Sequence, residues 1–217
     1  MLHLTDISLV LILLSVLMAL GSSRIQELIR IMAFQGILVS LVPFLLERAD
    51  RASSLDILFL LVFITIKAGV MPGLLWFASQ KVAAKMELDP LIGYHASILT
   101  GLVLMLLATF ISHNMQLASG DIHPLLLPAA FTTISSGLFL LIARRKALTQ
   151  ATGYLIMENG IYLAGSTLAQ EAHTQFVVEF GILLDILVGV MVMGIIVHRI
   201  SRSFDDADTM FLQELKG

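Results

Sequence analysis

Three ionisable residues lie inside apolar runs long enough to cross a membrane. Lys67 sits in Ile64-Thr-Ile-Lys67-Ala-Gly-Val-Met-Pro72-Gly73, Glu158 in the middle of the run from Gly153 to Gly165, and Asp185 between two glycines in Gly181-x-x-x-Asp185-x-x-x-Gly189. A charge near the bilayer centre raises the insertion free energy by about 2.5 to 3.5 kcal/mol, so each implies a partner, a wet cavity or a role in moving ions. Burial pushes a carboxylate pKa up and a lysine pKa down, and proximity of one to the other reverses both shifts. A lysine–carboxylate set can therefore change protonation state. Two readings are open: Lys67, Glu158 and Asp185, with Glu179 nearer the outer end, are stations of a proton path, or Lys67 pairs permanently with one of the acids and holds helices in register.

Other chemistries find little support. The chain has no cysteine, so disulfides, thiolate metal sites and iron–sulfur ligation are absent from it. No Rossmann or P-loop glycine pattern is present. His3, His95, His113, His123, His173 and His198 fall mostly at segment ends, and none forms a pair at the spacing of a helical metal site. No metal and no cofactor is expected in this chain.

The elements that must position the buried charges follow from composition. Of 217 residues 58% are apolar and 13% charged, and the mean hydropathy is +0.94, far outside the soluble globular range. The expectation is an all-α integral membrane protein with about seven transmembrane helices, near 5–20, 28–46, 55–77, 91–111, 125–143, 147–168 and 177–200. Arg24, Arg30, Lys81, Lys85, Arg144, Arg145, Lys146, Arg199, Arg202 and Lys216 fall on one side of that arrangement. The other side carries only Arg48 and Arg51. By the positive-inside rule the N-terminus is outside and the C-terminus cytoplasmic.

Within the segments, Pro72 cannot donate to the carbonyl of Ala68, which frees an acceptor beside Lys67 and predicts a locally opened helix. Gly69-x-x-x-Gly73, Gly181 and Gly189 are candidates for close helix packing. Thr132, Thr133, Ser135 and Ser136 in the fifth segment either bond back to carbonyls or line a wet path. Tyr154, Glu158 and Tyr162 follow at four-residue spacing, so one stripe of the sixth segment is polar and faces protein or water. A faint repeat relates segments 1–3 to 5–7: helix, basic loop, helix, outer loop, then a helix with a central ionisable group. The tail from Phe204 onward is short and acidic.

Arg145-Lys-Ala-Leu-Thr-Gln-Ala-Thr-Gly-Tyr-Leu-Ile-Met-Glu158-Asn-Gly, then Val178-Glu179-Phe-Gly-Ile-Leu-Leu-Asp185, with Ile64-Thr-Ile-Lys67 and Pro72, resembles the hydrogenase-4 component E family. These are membrane subunits of group 4 nickel–iron hydrogenases of the formate hydrogenlyase type. The last three segments are also similar to the K-type subunit of complex I and the C-type subunit of multisubunit cation/proton antiporters. There the K-type acid stands two residues after the glycine; here Leu155 holds that place and Glu158 comes one turn later. The resemblance implies one membrane domain over 1–217: a three-helix part over 1–80, a linking helix over 91–111, a K-type-like part over 123–203 and a cytoplasmic tail over 204–217. It implies a multi-pass subunit of the prokaryotic inner (cytoplasmic) membrane, in the lipid bilayer beside antiporter-like subunits and a peripheral hydrogenase arm, with no nucleic acid partner. The nickel–iron site and iron–sulfur clusters would belong to partner subunits. Glu158, Asp185, Lys67 and Glu179 would contribute to proton or sodium translocation coupled to redox chemistry. A structural anchor in the same complex, and an antiporter subunit with no redox arm, are the alternatives.

Overall fold

A chain surrounded by hydrocarbon has no water to satisfy its backbone N–H and C=O groups, so each apolar run closes its hydrogen bonds internally as a helix. The computed structural model describes residues 4–46, 54–81, 92–114, 123–168, 187–191, 193 and 194, and these form helices and short turns with no strand. Helix α1 (Leu4–Gly21) turns through Ser22 to Arg24 into α2 (Ile25–Leu46). The third predicted segment is one uninterrupted rod of three parts: α3 (Ser54–Ile64), a π-helical turn (Thr65–Val70) and α4 (Met71–Lys81). Helices α5 (Tyr94–Asn114), α6 (Leu126–Ala143) and α7 (Ala147–Leu168) follow. The stretch 187–191 is helical. The rest of the seventh predicted segment, with Glu179, Gly181, Asp185 and His198, and the acidic tail lie outside the described residues.

Among the described residues, five helices are long and apolar enough to cross a membrane: Leu4–Gly21, Ile25–Leu46, Leu60–Gln80, Tyr94–Asn114 and Leu126–Ala143. Helix α7 has the length, 22 residues, but Gln150, Glu158 and Asn159 dilute its apolar character. Its position explains the difference. It packs against α6, α2 and α4, with Ala151, Thr152, Ile156, Glu158 and Leu163 all buried, whereas the more apolar α5 leaves Leu99, Leu106 and Phe110 exposed. Hydropathy reports contact with lipid, and the helix best enclosed by protein needs the least of it.

The opening expected beside Pro72 takes the form of the π turn. The Met71 N–H donates to the Ile66 carbonyl, five residues back, so the rod absorbs the missing proline donor by widening one turn without a break. In α6 the hydroxyls choose the backbone: Thr132 donates to the Pro128 carbonyl and Thr133 to that of Ala129, each at 2.7 Å, and Ser135 donates to Phe131 at 2.7 Å.

Helices α1 and α6 run parallel and are tied at both ends. At the start, Asp6 Oδ1 lies 3.1 Å from His123 Nε2. At the finish, Arg144 Nη2 donates to the Leu20 carbonyl at 3.1 Å, capping the negative end of α1 with a cation. Arg144 also lies over the Tyr94 ring, 5.1 Å from its centroid. It is 2% exposed, and burial lowers its pKa while Tyr94 opposes that shift.

Glycines set the closest approach, though not those at the expected Gly69 and Gly73, around which no described atom lies within 4 Å of an added Cβ. A Cβ on Gly137 would instead collide with the Met157 backbone, and one on Gly160 would stand 2.6 Å from the Ile134 nitrogen, so α6 and α7 touch backbone to backbone. Gly189 meets Met71 and Leu74 at ordinary van der Waals distance. Gly160→Leu is expected to destabilise the chain by roughly 1–3 kcal/mol or more through overpacking, while Gly69→Ala leaves stability nearly unchanged. Thermal unfolding of the two variants in detergent measures the difference.

Candidate functional site: a buried polar layer

The packed core divides into two apolar clusters with a polar layer between them. One cluster gathers Leu28, Met32, Met71, Leu75, Leu155 and Ile156. The other gathers Val39, Val42, Phe63, Ala130, Tyr162 and Leu163. On each of three rods the polar residue falls between members of the two: Gln35 between Met32 and Val39, Lys67 between Phe63 and Met71, Glu158 and Asn159 between Ile156 and Tyr162. The layer is therefore roofed and floored by hydrocarbon.

At its centre Lys67 Nζ lies 2.5 Å from Glu158 Oε1. The same ammonium donates to Asn159 Oδ1 at 3.1 Å, and Asn159 Nδ2 donates to Gln35 Oε1 at 3.4 Å. Lys67 is 4% exposed and Glu158 1%, so water does not screen the pair. Phe63 adds its ring face, 5.1 Å from Nζ to the centroid, and stacks at 4.6 Å and 33° on Tyr162. A small cavity lined by Met32, Lys67, Met71, Leu155 and Asn159 adjoins the layer.

Local structure makes this meeting feasible. The π turn carries Lys67, and its extra residue re-aims the side chain toward α7. Gly36 lets the rod approach α2: a Cβ there would stand 3.0 Å from the Lys67 carbonyl oxygen. Glu158 and Asn159 are presented together because α7 is locked to α6 by the glycine contacts described above.

Of the residues singled out by sequence, Lys67 and Glu158 are brought together, and Tyr162 lies on the same side of α7. Pro72 is buried just after the π turn. Asp185, Glu179 and Gly181 fall outside the described residues. Sequence reasoning passed over Gln35, although an amide in the middle of the apolar run 28–46 is the same kind of signal as Glu158. It also counted Arg144 only as a loop charge. Gln35-Gly36-Ile37 on α2 and Asn159-Gly160-Ile161 on α7 are matched in pattern, and the two amides bond across the contact between those helices. Among the described residues, Gln35 Nε2 and Ser136 Oγ are buried and meet no hydrogen-bond partner. Among the described residues no group of three or more His, Asp or Glu side chains is arranged to hold a metal ion.

Removing either member of the ion pair takes a counter-charge from the other inside a buried layer, a loss of up to about 3–5 kcal/mol. Lys67→Met and Glu158→Leu are each expected to destabilise by that order, and the double variant to recover most of the loss. A double-mutant cycle on unfolding in detergent reads the coupling.

The chain is 32% identical over 193 residues to the uncharacterized protein Rv0085 of Mycobacterium tuberculosis, covering 88% of this chain and 86% of that one. It is 29% identical over 155 residues to hydrogenase-4 component E of Escherichia coli and, to the same extent, of Shigella flexneri, covering 71% of this chain and 70% of theirs. No family model matches the chain. No solved structure matches it either.

Proposed function

Since this chain belongs to the same family as Rv0085 of Mycobacterium tuberculosis and is distantly related to hydrogenase-4 component E, we propose that it is a membrane subunit of an energy-converting hydrogenase-type complex. In that complex it contributes buried charges to proton or sodium translocation coupled to redox chemistry elsewhere. The observation that carries this reading is the Lys67–Glu158 pair, buried in the layer between the two apolar clusters and bridged by amides to a third helix. In a layer closed off by hydrocarbon, a change at either residue alters what the other can pair with. Protonation of Glu158 and release of Lys67 are thereby coupled.

Asp185 and Glu179, on the segment after α7, are the further stations of this reading, with Pro72 and the glycines Gly181 and Gly189 setting helix geometry. The distribution of Lys and Arg supports an outside N-terminus and a cytoplasmic C-terminus in a prokaryotic inner membrane. The partners are antiporter-like membrane subunits and a peripheral arm that holds the nickel–iron site and iron–sulfur clusters, as in formate hydrogenlyase-type and complex I-like assemblies. The K-type likeness of the last three segments belongs to the same proposal.

A second reading is favoured by one observation. Both faces of the polar layer are closed by apolar side chains, as in a structural anchor whose charges only fix helix packing. Glu158→Gln in the intact complex separates the two. With assembly verified by subunit stoichiometry, redox turnover is expected to persist and ion pumping to be lost. Pumping that continues at the parental rate would leave Glu158 with the anchor role. Nickel and iron assayed in the purified native complex test the partner arm, and the absence of both would point to an antiporter without one.

A further inference from the structure

A groove of about 610 Å³ opens on the membrane-facing surface where α1, α2 and α5 meet. Its walls are apolar: Leu14, Leu17 and Met18 of α1, Ile31 of α2 and Ile98 of α5. Leu14 and Met18 are 50% and 63% exposed. Its upper end, where α1 finishes at Gly21 and α2 begins at Ile25, carries Glu27 and Arg30. From Leu14 to Gly21 the wall runs about 10 Å along the helix axis, the depth over which a lipid passes from headgroup to acyl chain.

The two charges at the mouth are the informative feature. Glu27 and Arg30 line the same groove, three residues apart on the exposed side of α2. Ser22 Oγ lies 3.1 Å from the Arg24 carbonyl and 3.5 Å from Glu27 Oε2, while the Arg30 guanidinium lies over the Trp76 ring, 5.7 Å from its centroid. Opposite charges above an apolar trough match a ligand that carries a cation and an anion a few ångströms apart on one aliphatic body.

We infer that this groove binds a phospholipid with a phosphoethanolamine headgroup, its phosphate on Arg30, its ammonium on Glu27 and its acyl chain along Leu14, Leu17 and Met18. A guanidinium fork fits phosphate oxygens. A primary ammonium gives Glu27 N–H donors, which a choline headgroup lacks, and a glycerol headgroup supplies no cation. The site lies at the bundle end formed by Gly21 and Ile25, apart from the polar layer, and does not depend on the redox assignment.

The test uses the full chain in nanodiscs of equal phosphatidylethanolamine, phosphatidylcholine and phosphatidylglycerol, with retained lipid counted by native mass spectrometry. Phosphatidylethanolamine is expected to exceed phosphatidylcholine by roughly 2- to 5-fold, the range of a partly exposed ion pair. Glu27→Gln should erase that discrimination while phospholipid stays bound. Arg30→Gln should lower retention of all three. Equal retention in the parent chain, enrichment of phosphatidylglycerol, or discrimination that survives Glu27→Gln overturns the inference. Because the chain has no cysteine, Met18→Cys gives a single label in native membranes. Reaction with a lipid-soluble maleimide is expected, and protection by a cross-linked neighbouring subunit would assign the groove to protein.

Discussion

An ammonium and a carboxylate buried in a bundle of apolar helices must find each other or be excluded from it, and much of this fold follows from how Lys67 and Glu158 meet. The attraction between them is strong because little water intervenes, and for the same reason each is intolerable alone. The two residues are 91 positions apart in the chain, so the pair forms only once α3, α4 and α7 have docked through α2. Gly36 supplies the close approach, the π turn supplies the aim, and the amides of Asn159 and Gln35 carry the polarity one helix further.

The surroundings of the layer bear on what it does. Apolar side chains pack on both sides of it, and the buried hydroxyls of α6 at Thr132 and Thr133 are turned to their own backbone. Helices α1 and α6 are tied by Asp6 to His123 at one end and by Arg144 to the Leu20 carbonyl at the other, and α6 is joined to α7 through glycine contacts.

The enclosure of α7 also explains a mismatch between apolarity and depth. The polar stripe through Tyr154, Glu158 and Tyr162 depresses its hydropathy, so composition alone ranks it below α5 as a membrane segment. In three dimensions α5 stands at the periphery against lipid and α7 lies among the other helices. Polarity that would be excluded at the lipid face is accommodated where other helices supply donors and acceptors.

Much of the plan was legible in the chain. The apolar runs marked the helices to within a few residues, because backbone hydrogen bonding in hydrocarbon leaves no alternative to the helix. Charges inside those runs, Lys67 and Glu158, announced a site by their insertion cost, and Pro72 announced local irregularity by its missing donor. That Lys67 would meet Glu158 was not legible, since the meeting depends on rotation and depth of helices. Nor was the role of Arg144, whose burial arises from the ends of α1 and α5 converging on it, or of Gly36, Gly137 and Gly160, whose value lies in what stands opposite. Gly69 and Gly73 carry the better-known spacing and face nothing described. Sequence determines what each helix must bury and what it must satisfy; the tertiary structure decides who satisfies whom, because pairing is a property of distances between helices and no single helix encodes them.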